Sequence, residues 1–294
     1  MYKDLRDWLI EVEKLGQLKR VNGAHWDVEM GALTQLVAEK YADKAPALLF
    51  DEVPGYPKGY RTLYGHFNTV ERVALTLGMP QGLGKVGLVA AYQKKMASLK
   101  PVPYEYVSDG PILENVHTGD DINVLEFPVP QHHLRDNGRY IGTACEVLTQ
   151  DPDEGWFNLG TYRSRAYDAK TVGCQITEGK HGRIHRDKMF ERGLPMKVAI
   201  IVGQDPLLYM LGASPVSNGV SEYDIYGAIK GEPMKVVKGP FTGFPIPANA
   251  EIVIEGETTK GDVLEEGPFG EWTGYYCSKP EMRACVRVKS ILHR

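Results

Sequence analysis

Cysteine is scarce in this chain: Cys145, Cys174, Cys277 and Cys285 are the only four, and no two of them share a short paired spacing. Disulfide-stapled secreted scaffolds are dense in cysteine and structural zinc sites use closely spaced Cys or His pairs, so neither is expected. Four reduced thiols fit a cytoplasmic protein. Long apolar runs are missing too. The opening Met1-Tyr-Lys-Asp-Leu-Arg-Asp7 is charged from its third residue, and no apolar stretch approaches the roughly 20 residues that span a bilayer. Neither a signal peptide nor a membrane span is expected. There is no long basic run: 34 Lys and Arg stand against 38 Asp and Glu, for a formal net charge of -4. Without a face that neutralises phosphates, nucleic acid is not an expected partner. Fixed-period repeats and low-complexity tracts are absent as well.

What is present is an ordinary globular composition, 43% hydrophobic over 294 residues, enough for roughly two domains. Leu5, Trp8, Leu9, Val12 and Leu15 recur at three- and four-residue steps, which predicts an amphipathic helix ended by Gly16. A second helical pattern covers Met30 to Tyr41, and Ala47 to Phe50 reads as a short strand. Asn68-Thr69 reads as an N-cap before a helix over Val70 to Leu77, and Leu88 to Leu99 is helical again. Gly82, Gly84 and Gly87 follow no strand and form no GxGxxG pattern, so they read as a connector rather than a phosphate loop.

From Pro101 the texture changes. Pro101, Pro103 and Pro111 break the helical pattern, which places a domain boundary near residue 100. Strands are expected over Asn123 to Phe127, Ile141 to Thr149, Phe157 to Ser164, Thr171 to Ile176, Lys197 to Val202, Leu208 to Leu211, Glu251 to Glu255 and Arg283 to Leu292. Only Ser221 to Ile229 reads as a clear helix in this half. Many short strands with one helix predict a barrel or sandwich able to enclose a ligand.

Three groups of residues carry chemical meaning. In Glu266-Gly-Pro-Phe-Gly-Glu271 two carboxylates flank a turn, and a pocket beneath them would split their proton affinities so that one stays ionised while the other holds a proton. The same segment also reads as a polar surface turn with both acids in solvent. In Asn158-Leu-Gly-Thr-Tyr-Arg163, strand alternation puts Asn158, Gly160 and Tyr162 on one face and Leu159, Thr161 and Arg163 on the other. A buried Arg163 would need a carboxylate such as Glu266 or Glu271, and its fork also suits a substrate carboxylate or a phosphate. A rim arginine paired with any nearby acid is the alternative. Gly179-Lys-His181-Gly-Arg-Ile-His185 and Ser221-Glu222-Tyr-Asp224 add nitrogen and carboxylate donors. With Asn158 they make a mixed set suited to Mn²⁺ or Mg²⁺, though each residue alone also reads as structural. His132 and His133 read as loop or packing residues.

Taken in order, Asn158-Leu-Gly-Thr-Tyr-Arg163, Lys180-His181, Ser221-Glu222-Tyr223-Asp224 and Glu266-Gly-Pro-Phe-Gly-Glu271 resemble the UbiD family of reversible decarboxylases. Asp136-Asn-Gly-Arg-Tyr-Ile-Gly142 is similar to that family's segment ahead of the cofactor site, and so is the opening Asp4-Leu-Arg-Asp-Trp8 helix. The resemblance runs through essentially the whole chain. It implies an α+β fold: an N-terminal α/β domain over residues 1–100, then a split β-barrel, flavin-reductase-like, over 101–294.

It also implies prenylated flavin mononucleotide as cofactor, its phosphate held through Mn²⁺ with K⁺ nearby. Asn158, His181 and Glu222 match the metal ligands. Thr161, Tyr162, Arg163, Lys180, Ala213, Ser214 and Pro215 match stretches that contact the cofactor. Arg163, Glu266 and Glu271 match the catalytic network, with Glu271 at the proton-donor position. The implied reaction is non-oxidative, reversible decarboxylation of an aromatic or α,β-unsaturated acid, where the flavin accepts the electrons left when CO₂ departs. A flavin prenyltransferase would supply the cofactor, and the full-length form would be a homo-oligomer. Family members usually continue into a further domain that walls part of the pocket and supplies a lysine to the cofactor phosphate, whereas this sequence stops at His293-Arg294. Two other functions remain open at this stage: a prenylated-flavin- and metal-binding subunit without turnover of its own, and an ordinary flavin-binding split barrel doing redox chemistry.

Overall fold

The computed structural model describes residues 1–276 and 279–294, so Cys277 lies outside the described residues. The opening periodicity forms the helix Leu5–Lys14, capped by the Asp4 side chain, which accepts the N–H of Asp7. Its inner face buries Trp8, Leu9 and Val12 against Tyr2, Ala47 and Leu49. Trp8 is fully buried and donates its indole N–H to Thr76 Oγ1 at 2.9 Å, so truncating it to alanine would cost about 3–5 kcal/mol. The neighbouring three-stranded sheet pairs Leu18–Asn22 with Ala47–Asp51 in parallel, and Ala47–Asp51 with Thr62–Tyr64 antiparallel. Thr69 caps the helix Val70–Leu77 as expected, and Gly78, at φ 60°, ends it in the left-handed conformation that glycine tolerates best. The next helix begins earlier than its apolar pattern indicated, at Gly84, and runs to Met96.

The second half is built on one large sheet. Its strands run in the spatial order Arg139–Gly142, Ser164–Asp168, Thr171–Gly173, Glu281–His293, Ile252–Thr258, Met196–Val202, Glu146–Gln150 and Phe157–Gly160. Val263–Glu266 and Asn115–Thr118 pair with the long strand Glu281–His293 off this path. The two ends of the path are close in sequence: Gly142 leads to Glu146, and Gly160 leads to Ser164. Four Cα steps reach no more than about 14 Å, so the sheet must curl until its first and last strands nearly meet. The fold is α+β with a curled, split-barrel sheet, and residues 143–145 and 161–163 cross the split. Arg163 stands in that crossing, where side chains from both ends of the sheet converge.

Both faces of the sheet are filled. Val147, Val198, Ile200, Ile254 and Val286 pack with Val172 in one core, while Leu148, Leu159, Ala199, Ile201 and Val253 pack on the other side against Leu207, Tyr223 and Tyr226.

Three expectations are corrected. Leu208 to Leu211 is not a strand but part of the helix Pro206–Gly212, because Asp205 caps it by accepting the N–H of Leu207 and Pro206 occupies its first turn. Asn123 to Phe127 is not a strand but holds the 3-10 turn Val124–Glu126, which the Asn123 side chain closes on Leu125 N–H. Ser221 to Ile229 is not the sole helix of this half: His181–Glu191 and Pro206–Gly212 join Glu222–Lys230. The expected long strands Ile141 to Thr149 and Phe157 to Ser164 are each broken at the split. Among the described residues, no helix is long and apolar enough to cross a membrane.

Candidate active site

From the crossing, Arg163 reaches Glu266 at the end of the strand Val263–Glu266. Its Nε donates to Glu266 Oε1 at 2.9 Å, and Nη2 forms an ion pair with the same oxygen at 2.8 Å. Glu266 is 6% exposed, so a single planar cation neutralises a carboxylate that would otherwise be buried alone. The guanidinium lies over the Phe269 ring, 4.4 Å from its centroid, and 5.7 Å from that of Tyr140. The Tyr140 hydroxyl sits 3.3 and 3.4 Å from the two Glu266 oxygens, and burial followed by the Glu266 charge holds its phenol above the ordinary value.

The remaining nitrogen of Arg163, Nη1, faces Glu271 Oε1 at 3.9 Å, an ion-pair distance but too long for a hydrogen bond. Glu266 is therefore locked while Glu271, with 36% of its side chain exposed, is not. The loop carrying both acids is tied down by the Asp136 segment. Asp136 accepts the N–H of Gly270 at 2.8 Å, and Asn137 donates from its side chain to Gly267 O at 2.9 Å and from its backbone to Pro268 O at 3.0 Å. On the other side, Arg165 and Tyr167 both donate to the carbonyl of Glu265.

A second cluster forms on the far side of the crossing. Asn158 and His181 meet, with Asn158 Oδ1 3.2 Å from His181 Nδ1. Glu222 Oε2 accepts the N–H of Leu159 at 2.9 Å, which brings that carboxylate to the residue next to Asn158. Burial raises Glu222 to about 7. The Tyr162 hydroxyl accepts the N–H of Gly182 at 3.3 Å, and the phenol end of its ring lies against Gly160, where an added Cβ would come within 2.6 Å of it.

Thr161 donates to Glu146, a fully buried carboxyl that burial keeps protonated well above the usual range. Lys180, Ala213, Ser214 and Pro215 are exposed: Lys180 precedes the helix His181–Glu191, and Ala213 ends the helix Pro206–Gly212. His132 and His133 lie in a loop against Phe269. The expected Arg163, Glu266 and Glu271 are thus brought together, and so are Asn158 and His181, while Glu222 bonds the backbone of the next residue, Leu159.

Sequence reasoning missed Tyr140, Phe269, Asp136 and Glu146. The first three sit inside segments already singled out, but nothing in a linear pattern says which of their side chains turns toward Arg163. A cavity of about 300 Å³ lined by Tyr64, His132, Gln204 and Tyr209 adjoins this cluster, with Tyr140, Gly142 and residues 143–144 of the crossing in its wall.

The geometry agrees with the likeness to known proteins. The model for the 3-octaprenyl-4-hydroxybenzoate carboxy-lyase Rift-related domain matches residues 105–294, and that for the N-terminal domain of the same carboxy-lyase matches residues 9–85. The chain belongs to the UbiD family. The phenolic acid decarboxylase of Bacillus subtilis (strain 168) is 33% identical over 298 residues, covering 100% of this chain and 62% of that protein. Vanillic acid decarboxylase of Sedimentibacter hydroxybenzoicus, in its closed form, superposes with a TM-score of 0.92 at 30% identity, over 100% of this chain and 62% of that one. The UbiD-class enzyme HmfF from Pelotomaculum thermopropionicum in complex with FMN gives a TM-score of 0.88 at 31% identity, over 99% of this chain and 63% of that one. An evolved dimeric form of HmfF in complex with prFMN gives 0.86 at 30% identity, over 99% and 65%. The chain thus spans about 62% of the length of the Bacillus subtilis phenolic acid decarboxylase and of other curated relatives that it matches throughout.

Proposed function

We propose that this chain is the cofactor-binding part of a UbiD-type carboxy-lyase that reversibly and non-oxidatively decarboxylates an aromatic or α,β-unsaturated carboxylic acid with prenylated FMN. The observation that carries the reading is the Arg163 fork, spent on Glu266 through two nitrogens while a third faces an unlocked Glu271. The likeness to a phenolic acid decarboxylase and to a structure in complex with prFMN supports the substrate class and the flavin.

The residues present fit the cofactor and its metal. Asn158 Nδ2 is buried with no hydrogen-bond partner among the described residues, and Asn158 Oδ1, His181 and Glu222 make a hard-to-borderline donor set. In this proposal they hold Mn²⁺ against the cofactor phosphate, with K⁺ beside it. Thr161 to Arg163, Lys180 and Ala213 to Pro215 line the cofactor. When bound, prenylated flavin supplies the electron sink for the carbanion that CO₂ loss leaves.

The protein's own residues do the rest. Arg163 is a positioning residue, fixed by Glu266 and the Phe269 face, and its cation sits where a substrate carboxylate can be oriented. Glu271 moves the proton: because no tight bond holds it, its carboxyl can carry a hydrogen to the carbon that loses CO₂ and recover one from solvent. The division into residues 1–100 and 101–294 is part of this proposal, supported by family models that match on either side of it. So are a flavin prenyltransferase as cofactor source, a homo-oligomeric full-length form and a cytoplasmic location.

The test is Glu271→Gln in the chain co-produced with a flavin prenyltransferase. The variant should keep bound prenylated flavin, read by absorbance and mass, and lose at least about 100-fold in turnover across a panel of phenolic, heteroaromatic and acrylic acids. Unchanged turnover would overturn the role of Glu271. A second reading is a cofactor- and metal-binding subunit that turns nothing over alone. Multiple turnovers by the isolated chain would exclude it.

A further inference from the structure

Among the described residues, one group of three side chains from His, Cys, Asp or Glu brings a ligand atom of each within 4.8 Å of the others: His117, Glu126 and His293. None of them belongs to the Arg163 or Asn158 clusters, although His293 also lines the cavity beside Tyr140. The sheet register explains how they meet. In the antiparallel pair of Asn115–Thr118 with Glu281–His293, His117 lies opposite Ile291 and Asn115 opposite His293. Residues two apart on a strand share a face, so His117 and His293 are diagonal neighbours on one side of the sheet. Their ring centroids are 5.1 Å apart.

Glu126 arrives from the 3-10 turn Val124–Glu126, with Oε1 3.6 Å from His117 Nδ1. That oxygen is out of solvent and has no hydrogen-bond partner among the described residues. A carboxylate oxygen is seldom left unmatched in this way. The His293 ring is 7% exposed and held edge-on by Phe127 at 5.4 Å. A backbone carbonyl stands beside each imidazole: Asp121 O is 3.3 Å from His117 Nδ1 and Arg294 O is 3.4 Å from His293 Nδ1. The carbonyl beside His293 is of the kind that usually makes the second contact of a metal-bound imidazole. Glu114 and Asp121 line the same groove as His117 and Glu126, so the surrounding field favours a cation.

We propose that His117, Glu126 and His293 bind a divalent transition-metal ion, with Zn²⁺ as the reference species. Two imidazoles and one carboxylate are the donor set of three-ligand zinc sites, which keep a fourth position for water or another ligand. The same set serves Fe²⁺ and Co²⁺. The competing account is a plain ion pair between Glu126 and a protonated His117, which would bind no metal.

The two accounts separate by metal titration of the chelator-stripped chain carrying His181→Ala, which removes the histidine of the flavin-side cluster and so keeps this result independent of the decarboxylase reading. Co²⁺ should saturate one equivalent with visible bands of a His-carboxylate site, and Zn²⁺ should displace it. His117→Ala and Glu126→Gln should each abolish the bands and weaken Zn²⁺ by more than about tenfold, the scale on which even outer-shell partners act. Both side chains are partly exposed, so the variants should fold, and melting in chelator at the parent's midpoint checks this. Bands unchanged in both variants, or no saturation below millimolar metal, would overturn the proposal.

Discussion

Asp136 accepts the backbone N–H of Gly270 through one carboxylate oxygen at 2.8 Å, and the N–H groups of His132 and His133 through the other at 3.2 and 2.9 Å. One buried side chain thus ties the loop bearing Glu266 and Glu271 to the strand that carries Tyr140. Removing it in Asp136→Ala strands three donors and should cost about 2–3 kcal/mol in denaturant unfolding. Asp136→Asn, which keeps one acceptor, should cost less. If both variants unfold like the parent, the anchor is unimportant.

Arg163 and Glu266 should behave as one unit. Arg163→Met alone leaves Glu266 buried without its cation, at a cost of about 3–5 kcal/mol, and Glu266→Gln alone leaves the guanidinium short of a charged partner. The double variant should be more stable than the sum of the two losses allows. A thermodynamic cycle from urea unfolding measures the coupling, expected at about 1–3 kcal/mol. Additive losses would show that the pair does not act together.

Gly160 has little room to grow. A Cβ there would stand 2.6 Å from the Tyr162 ring, itself packed over Gly182. Gly160→Ala should push Tyr162 off its place and cost about 1–3 kcal/mol. Because Tyr162 sits beside Asn158, Mn²⁺ binding measured by paramagnetic resonance should weaken with it. Parent-like binding in a folded variant would separate the ring from the metal cluster.

His185 should make the fold sensitive to acid. It is 1% exposed, and burial lowers it to about 4. The unfolded chain protonates near pH 6.5 and so takes up protons first, which means the stability is complete above that pH. It is lost as pH falls from about 6.5 toward 4, by up to about 3 kcal/mol. His185→Gln should start lower and show a flatter profile over that window. An equally steep profile in the variant would place the titration elsewhere.

Local signals in the chain already settled much of this protein. Apolar steps of three and four residues placed the first helix, and Thr69 marked the start of Val70–Leu77, because caps and amphipathic faces are interactions between near neighbours. The Asp205-Pro206 pair was an equally local helix signal, yet the apolar run Leu208 to Leu211 beyond it reads as strand, since a short buried run has no period of its own. The family's residues were legible as motifs, and their order marked Arg163, Glu266 and Glu271 as a set.

Only the tertiary structure decided how they meet. Arg163 and Glu266 are 103 residues apart, and what brings them together is the curl of a sheet whose last strand runs on into its second across residues 161–163. Strand order and register arise from the fit of the whole core, and no segment encodes them alone. For the same reason nothing in the chain announced Asp136 beneath Gly270, or His117 diagonal to His293: each is a contact between strands or loops whose pairing is a property of the assembled sheet.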